Sequence, residues 1–218
     1  MAFVRRIRRV CTAKLREAVF ELRYRAYRHQ DVIAPDASAR FEDEFDHAEN
    51  SIIWALEEDG AIVASMRSTW ATQGGKQTIP EMLAYQDVIH AVVPAGAALI
   101  SGNRLVTLPQ SMSRSSRAVE SLLRFHLQVA AREGRWALAA ARHNHLPYYQ
   151  RLLALEHVSE PRRYPGLTCD MYLMACDFLS NINEVILRNP QLASGASDFE
   201  LFEPSCSERW EQGILLPE

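Results

Sequence analysis

The segment that is most informative about the fold begins at Arg16. It reads REAVFELRYRAY over residues 16–27 and FEDEFDHAENSIIWALEEDGAIVASMRS over residues 41–68. The first part has apolar residues at helical spacing and arginines on the opposite face. Because Thr12 is a residue type that favours a helix N-cap, the pattern predicts a helix over residues 13–28.

The second part combines an acidic cluster with a hairpin pattern. Residues 51–56 and 61–70 are rich in apolar and β-branched residues, and Glu58-Asp59-Gly60 between them is a turn sequence. Acidic side chains beside apolar strands are costly unless they are solvated, paired or used in chemistry. The cluster therefore marks a candidate site, although an acidic loop that only contacts water or caps a helix stays open.

The rest of the chain continues the alternation of helices and strands. Periodicity and turn residues predict a short helix at 79–85, a strand at 97–108, a helix at 113–133, a strand at 136–141, a helix after Asn144, and strands at 157–159 and 168–175. This order is typical of an α/β sandwich with a mostly antiparallel sheet.

Composition limits the class of protein. The chain has 218 residues, 48% of them apolar, and a net charge of −3, which predicts one globular core without bulk attraction to nucleic acid. Its cysteines have no C-x-x-C spacing, so we expect reduced thiols and no zinc site. No apolar run reaches membrane-spanning length and no signal peptide is evident, so we expect a cytoplasmic protein without stable membrane insertion. The arginine-rich start either contacts an acidic partner or frays in solvent.

Three short motifs occur in the order that is found in a known family. Arg16 and Phe20 have an Arg-x-x-x-Phe spacing, Asp46 ends an aromatic-Asp pair three residues after Asp43, and Ser65-Met66-Arg67 lies on a predicted strand. With these motifs the chain resembles the N-acyl amino acid synthases and the acyl-homoserine lactone synthases of the GNAT superfamily.

The resemblance implies a fold and a division of the chain. The expected fold is a GNAT-like three-layer α/β/α sandwich with a mixed, mostly antiparallel, centrally splayed sheet. The expected parts are a basic N-terminal segment at 1–12, an acyltransferase domain at 13–177, and a C-terminal helix and tail at 178–218.

Two of the chain's departures from these relatives bear on its substrates. The E-x-x-R element of the lactone synthases is replaced by Ser101-Gly-Asn-Arg104, which favours an amino acid or another amine over S-adenosylmethionine as acceptor. The superfamily's glycine-containing loop for coenzyme A is replaced by PQSMSRSSR at 109–117, which favours acyl-carrier protein over acyl-CoA as donor. Arg114 and Arg117 are candidates to bind the donor's phosphopantetheine group, unless both arginines are merely solvated.

The reaction that the resemblance implies is amide formation from an acyl thioester. Such a reaction needs a neutral amine and a proton for the departing thiolate. Glu44 and Asp46 are the candidate catalytic bases, with Asp43 behind them. Tyr149, or alternatively Tyr148, is the candidate proton donor, unless Tyr149 only packs in the core.

Arginines dominate the predicted substrate site. The candidate substrate-binding residues are Arg16, Phe20, Asp43, Arg67 and Arg104. Since Arg67 and Arg104 lie on predicted strands, their guanidinium groups can bind the carboxylate of an amino acid if both point to one face. Pairing of these strand arginines with the acidic loop, for structure alone, is the alternative. Arg23 and Arg28 on the first helix are second choices.

These observations favour an N-acyltransferase that moves a fatty acyl group from acyl-carrier protein, or acyl-CoA, to the amine of an amino acid, with no metal and no resident cofactor. Two other functions stay open. One is an acyl-homoserine lactone synthase that uses S-adenosylmethionine and acyl-carrier protein. The other is a non-catalytic module that binds an acyl chain or a protein partner.

Overall fold

The structure is a computed structural model that describes residues 5–108 and 112–193. Its strands and helices follow one another with short connections. In chain order they are β1 (Arg5–Arg9), α1 (Ala13–His29), β2 (Ser51–Glu58), β3 (Ala61–Thr72), α2 (Met82–Val92), β4 (Ala98–Thr107), α3 (Met112–Glu133), β5 (Trp136–Ala141), α4 (Leu146–Leu153), β6 (Glu156–His157), β7 (Arg162–Arg163), β8 (Asp170–Asp177) and α5 (Phe178–Arg188).

One sheet organises the molecule. Its strand order is β1-β2-β3-β4-β5-β8-β6, and β7 pairs with β8 beside this path. The β4–β5 pair is parallel and the other pairs are antiparallel. Helices α3, α4 and α5 cover one face, and α1 and α2 cover the other. The three-layer sandwich with a mostly antiparallel sheet is therefore confirmed.

The β2–β3 hairpin is buried on both faces. Side chains alternate along β2, so Ile52 and Trp54 join the core under α3, while Ile53 and Ala55 pack against α1. A strand that is covered on both sides needs a continuous apolar run rather than an alternating one. The run at residues 52–56 meets that need.

The amphipathic pattern of α1 is confirmed. Thr12 caps the helix, because its side-chain oxygen accepts a hydrogen bond from the backbone N–H of Leu15 at 3.3 Å. Val19 and Leu22 are buried on the face that meets the sheet. Arg23 is buried on this face too, which the pattern of apolar residues alone does not predict.

The sheet splays open between β4 and β5. Their pairing extends only from Leu99 to Ser101 on β4. Beyond it, the β3–β4 register shifts because two residues, Arg104 and Leu105, lie between the partners Asn103 and Val106. Arg104 has a φ of 54°, a left-handed conformation that is typical of a β-bulge and uncommon for a residue with a side chain. The bulge lies on β4 beyond Ser101, where β4 and β5 no longer pair.

Both ends of the described chain pack on the same core. Strand β1 pairs with β2 along its whole length, and Ile7 is buried in the core under α3. Residues 5–9 are therefore not frayed, and that alternative is wrong. At the other end, Phe178 and Val185 of α5 are buried in the same core. The packed unit thus extends on both sides of the expected 13–177 domain.

Two further expectations can be compared with the structure. Helix α2 begins after Pro80 but continues to Val92, beyond the predicted end at residue 85. Cys169 and Cys176 are free thiols, as expected. Within the described part of the chain, no helix has both the length and the apolar character needed to cross a membrane.

Candidate active site

A buried ionic cluster lies beside the splay. Asp43, in the loop before β2, accepts hydrogen bonds from Arg67 on β3 and Arg104 on β4. Nη1 of Arg67 lies 2.5 Å from Oδ1 of Asp43, and Nη2 lies 3.1 Å from Oδ2. Arg104 donates to the same Oδ2 from Nε at 3.1 Å and from Nη2 at 2.6 Å. One carboxylate therefore joins two neighbouring strands to the acidic loop.

Asp46 connects this cluster to α1. Its Oδ1 lies 2.7 Å from Nη1 of Arg23 and 2.7 Å from Nη1 of Arg67. Its Oδ2 accepts a hydrogen bond from the backbone N–H of Asp43 at 3.0 Å. In return, the side chain of Asp43 accepts from the backbone N–H of Phe45 at 3.0 Å. This reciprocal capping fixes the acidic loop as a short 3-10 helix.

The arginines keep both aspartates charged. Burial alone would raise the pKa of Asp43, but hydrogen bonds and charge from Arg67 and Arg104 hold that pKa well below its usual range. Burial also opposes ionisation of Asp46, and the positive charges of Arg23 and Arg67 lower its pKa. A carboxylate that is held charged by two arginines accepts a proton poorly. The geometry therefore favours a structural role for Asp46 over the predicted role of catalytic base.

Glu44, the other predicted base, lies apart from the cluster. Its side chain is exposed on the 3-10 helix, although its neighbours Asp43 and Asp46 point inward. It lines neither of the cavities at the splay. The structure thus separates Glu44 from the site that its sequence position suggests.

Arg23 and Tyr27 occupy the part of α1 that faces the site, rather than Arg16 and Phe20. Arg16 is partly exposed and its Nη1 lies 3.4 Å from Nδ1 of His47, while Phe20 packs against the hairpin. Two turns further along the helix, Arg23 is fully buried in the cluster and Tyr27 lines a cavity. Both pairs have the Arg-x-x-x-aromatic spacing, so the repeat of that spacing was the available signal.

A polar cavity of about 110 Å³ opens where β4 and β5 separate. The side chains that matter for its chemistry are Tyr27, Glu81, Arg104, Arg142, Tyr149 and Tyr164. They come from six different parts of the fold, and they converge beside the splay. A concave site with several convergent polar groups is where a small polar substrate binds.

A second, apolar cavity of about 20 Å³ lies on the α3 side of the splay. It is lined mainly by aliphatic side chains of α3, β5 and α4, such as Leu123, Leu127 and Leu153. His126 also lines it, with its Nδ1 2.8 Å from Oγ of Ser68. Burial lowers the pKa of His126 to about 4, so this imidazole is neutral near pH 7 and suits apolar surroundings.

The two cavities meet at four shared residues. Gly102 and Leu105 on β4, Ala139 on β5, and Tyr149 on α4 line both of them. At Gly102 an added Cβ would lie 2.8 Å from Cε of Met66 and 2.9 Å from Nε2 of His126. The absence of a side chain there lets Met66 and His126 pack closely against β4. The arrangement can hold an apolar chain on one side and a polar reactant on the other.

Tyr149 stands at this junction, as a proton donor must. Burial raises the pKa of its phenol well above the usual value, so the hydroxyl keeps its proton at accessible pH. Tyr148, the alternative donor, packs edge-on against Tyr149 with ring centroids 5.3 Å apart and lines neither cavity. The geometry favours Tyr149 over Tyr148 for contact with a reacting group.

Glu81 is a buried acidic residue of the site that no sequence motif indicates. It precedes α2 and is completely buried. Its Oε1 accepts a hydrogen bond from the hydroxyl of Tyr164 at 3.3 Å, and the hydroxyl of Ser101 lies close enough to favour the charged form. Ser101 is the residue that replaces the glutamate of the E-x-x-R element. A glutamate after Pro80, before a helix, reads as an ordinary first-turn residue, so no local signal identified it.

The predicted phosphopantetheine-binding residues stay predictions. Arg114 and Arg117 belong to α3, but their side chains lie outside the described part of the structure, as do residues 109–111. Within residues 5–108 and 112–193, no three His, Cys, Asp or Glu side chains gather as a metal site would require.

The fold and the site together define the class of protein. A GNAT-type sandwich, splayed at its centre and holding an apolar and a polar cavity that meet at a tyrosine, is the architecture of an acyltransferase. A family model described as N-acyl amino acid synthase FeeM matches residues 18–177. Since this match spans most of the chain, the protein belongs to that family and is an acyltransferase.

Solved structures show the same fold. FeeM, an N-acyl amino acid synthase from uncultured soil microbes, superposes with a TM-score of 0.67 at 13% identity, covering 85% of this chain and 96% of FeeM. The CoA-dependent acyl-homoserine lactone synthase MesI gives a TM-score of 0.60 at 21% identity, covering 91% of this chain and all (100%) of MesI. BjaI, another CoA-dependent lactone synthase, solved with SAM and isopentyl-CoA, gives 0.61 at 13% identity, with coverages of 92% and 93%. No curated protein matches the sequence.

Proposed function

We propose that the protein transfers a fatty acyl group from an acyl thioester to the amine of an amino acid. The observation that carries the proposal is the meeting of the apolar and polar cavities at Gly102, Leu105, Ala139 and Tyr149. An acyl chain in the apolar cavity would place its thioester at this junction. An amine in the polar cavity would then face the carbonyl carbon.

The splay also suits the thioester arm of the donor. Beyond Ser101 and Leu138, β4 and β5 no longer pair with each other, so their facing backbone groups are available to the amides of a phosphopantetheine arm. Acyl-carrier protein is our proposed donor, because residues 109–117 lack the glycines of a coenzyme A loop. The proposed reaction uses no metal and no resident cofactor.

Arg142 supports an acceptor that carries a carboxylate. Its guanidinium lines the polar cavity, and its Nη2 donates to Oε1 of Gln30 at 2.5 Å. Among the described residues, no carboxylate pairs with it. Arg67 and Arg104, the predicted clamp, are instead engaged by Asp43. An amino acid carboxylate would give Arg142 the charged partner that residues 5–108 and 112–193 do not provide.

The main test is a product analysis. The purified protein is incubated with acyl-carrier protein or CoA thioesters of fatty acids, together with single amino acids or S-adenosylmethionine, and the products are weighed by mass spectrometry. We expect N-acyl amino acids, with acyl-carrier protein as the better donor. A homoserine lactone product would overturn the proposed acceptor. The absence of any acylated amine would favour a non-catalytic binding module instead.

Arg142→Gln tests the acceptor's carboxylate. A hydrogen-bonded charged pair contributes about 1.5–3 kcal/mol, so KM for the amino acid should rise roughly 10- to 150-fold. The decarboxylated amine with the same side chain should react equally well with both proteins. The exposed Arg163 serves as control, since Arg163→Gln should change neither constant. Equal losses on both acceptors would contradict a carboxylate contact.

A further inference from the structure

The polar cavity contains one carboxyl group among its described lining residues, and it belongs to Glu81. Its side chain is 0% exposed, and the fold holds it in place through the turn after Pro80. Oε1 accepts from the hydroxyl of Tyr164 at 3.3 Å. Oε2 has no partner with hydrogen-bond geometry among the described residues, although the hydroxyl of Ser101 lies near the carboxyl group and favours its charged form. A buried carboxylate oxygen without a partner is energetically costly, so its retention calls for a ligand that supplies a donor.

The other acidic residues near the site have no carboxylate oxygen that is available to a ligand in the polar cavity. Both oxygens of Asp43 are bound by arginines. In Asp46, arginines bind Oδ1 and the backbone N–H of Asp43 binds Oδ2. The arginines lower both pKa values. Glu44 is exposed and lines no cavity. Glu81 has no arginine bound directly, and burial raises its pKa. This shift moves the pKa of Glu81 toward the range in which a side chain exchanges protons near neutral pH.

We propose that Glu81 is the catalytic base that takes a proton from the ammonium group of the acceptor. The proposal rests on the proposed function, because it assumes that an amine enters the polar cavity. The unpartnered Oε2 would accept a hydrogen bond from the ammonium group, and Tyr164 would keep the carboxylate oriented through Oε1.

The reaction needs no reactant other than the amine and the acyl thioester. One proton moves from the ammonium group to Glu81, and the freed lone pair of the amine forms a bond to the thioester carbonyl carbon. The tetrahedral intermediate then collapses, which breaks the C–S bond. The thiolate takes up the second nitrogen proton, directly or by way of Tyr149, and Glu81 returns its own proton to solvent. The products are an amide, a thiol and one released proton.

His145 is the rival base in the same cavity. It lies at the start of α4, and burial together with the charge of Arg142 lowers its pKa. A neutral imidazole at that position can also accept a proton. Glu81 differs from it by being fully buried and by having an oxygen without a partner, whereas the side chain of His145 is exposed at the rim of the cavity. Substitution of each residue separates the two.

The test compares Glu81→Gln with His145→Gln in steady-state acyl transfer to an amino acid. The amide keeps the shape of the side chain and its contact with Tyr164, but it cannot take a proton. Loss of a general base costs about 10²- to 10⁴-fold, so we expect kcat/KM of Glu81→Gln to fall within that range at pH 7. The loss should shrink as pH approaches the pKa of the acceptor amine, since solvent then deprotonates the amine. Asp87→Asn, an exposed change on α2, serves as control.

Each outcome has a separate meaning. Urea unfolding should show Glu81→Gln to be at least as stable as the wild type, because the change removes a buried charge without a direct cationic partner. A fall in kcat/KM with intact stability and a pH-dependent recovery supports the base. Full activity of Glu81→Gln at pH 7, with a loss in His145→Gln, overturns the assignment and leaves the acyltransferase function standing. A wild-type protein that acylates no amine overturns the proposed function and this assignment together.

Discussion

At the scale of single residues, Asp43 determines how the strands and the acidic loop are held together. Its two oxygens receive hydrogen bonds from Arg67 and Arg104, and its backbone N–H binds Asp46. Desolvation of so many charges is expensive, and close pairing between opposite charges offsets it. The cluster therefore has little tolerance for loss of one member, which makes it a sensitive test of the structure.

Asp43→Asn should destabilise the protein by about 3–5 kcal/mol, because the change removes the countercharge of buried Arg104 and one of the two countercharges of Arg67. The measurement is urea unfolding followed by circular dichroism. Asp170→Asn is a matched control, since Asp170 forms an exposed pair with Arg163 at 3.7 Å and should change stability far less. Equal effects of the two substitutions would contradict a structural role for Asp43.

The same cluster predicts a pH dependence of stability. The folded-state pKa of Asp43 lies below the unfolded value of about 3.9. Its stabilisation is therefore fully present above that unfolded value and is lost as pH falls toward the folded pKa. Wild type should lose stability on acidification below about pH 4. Asp43→Asn should lack that part of the loss.

Only some of the residues in the ionic cluster could be predicted from the sequence. Asp43, Arg67 and Arg104 were predicted from motifs, and the structure brings them together. Arg16 and Arg23 lie two turns apart on α1 and share the spacing of the motif, so local pattern cannot choose between them. The choice depends on Asp46, which is near in space but distant in sequence. Glu81 belongs to the same class of contacts, because its partner Tyr164 is even more distant along the chain.

At the scale of elements, local patterns predicted most helices and strands, and long-range pairing decided the rest. The hairpin and α1 follow from periodicity alone. Strand β1 was missed because its arginines suggest a solvated segment, and only its pairing with β2 makes it a strand. The splay was expected from the resemblance, but the bulge at Arg104 that accompanies it requires an unusual φ that no sequence pattern indicated.

The apolar cavity between α3 and the sheet should set the length of the acyl chain. Ala130 on α3 is fully buried and lines this cavity, so Ala130→Leu would fill part of it. A methylene group that loses its place in an apolar pocket costs about 1–3 kcal/mol. We therefore expect kcat/KM for the longest accepted donor to fall about tenfold or more, with short donors nearly unaffected. Assays with saturated acyl donors of stepped length measure the shift.

A change on the other side of the splay provides the comparison. Ala140 on β5 lines only the polar cavity. Ala140→Leu should raise KM for the acceptor and leave the chain-length profile unchanged. If Ala130→Leu lowers activity equally for donors of all lengths, the apolar cavity does not hold the acyl chain.

At the scale of the whole molecule, one core connects the first described strand with the last described helix. Ile7 on β1 and Val185 on α5 belong to the same cluster of buried residues as Leu122 and Leu123 of α3. The acyltransferase domain expected at 13–177 therefore does not contain its whole core. Because the apolar cavity is lined in part by Phe178, α5 also contributes to the candidate site.

A shared core predicts a single cooperative unfolding transition. Loss of a large buried aliphatic side chain costs about 2–5 kcal/mol, and each kcal/mol lowers Tm by about 2–4 °C in a protein of this size. Ile7→Ala and Val185→Ala should therefore each shift the whole calorimetric transition to lower temperature. Leu187→Ala is the control, because Leu187 on α5 is 81% exposed. If either core variant instead split off a separate early transition, β1 or α5 would be an appended element rather than part of the domain.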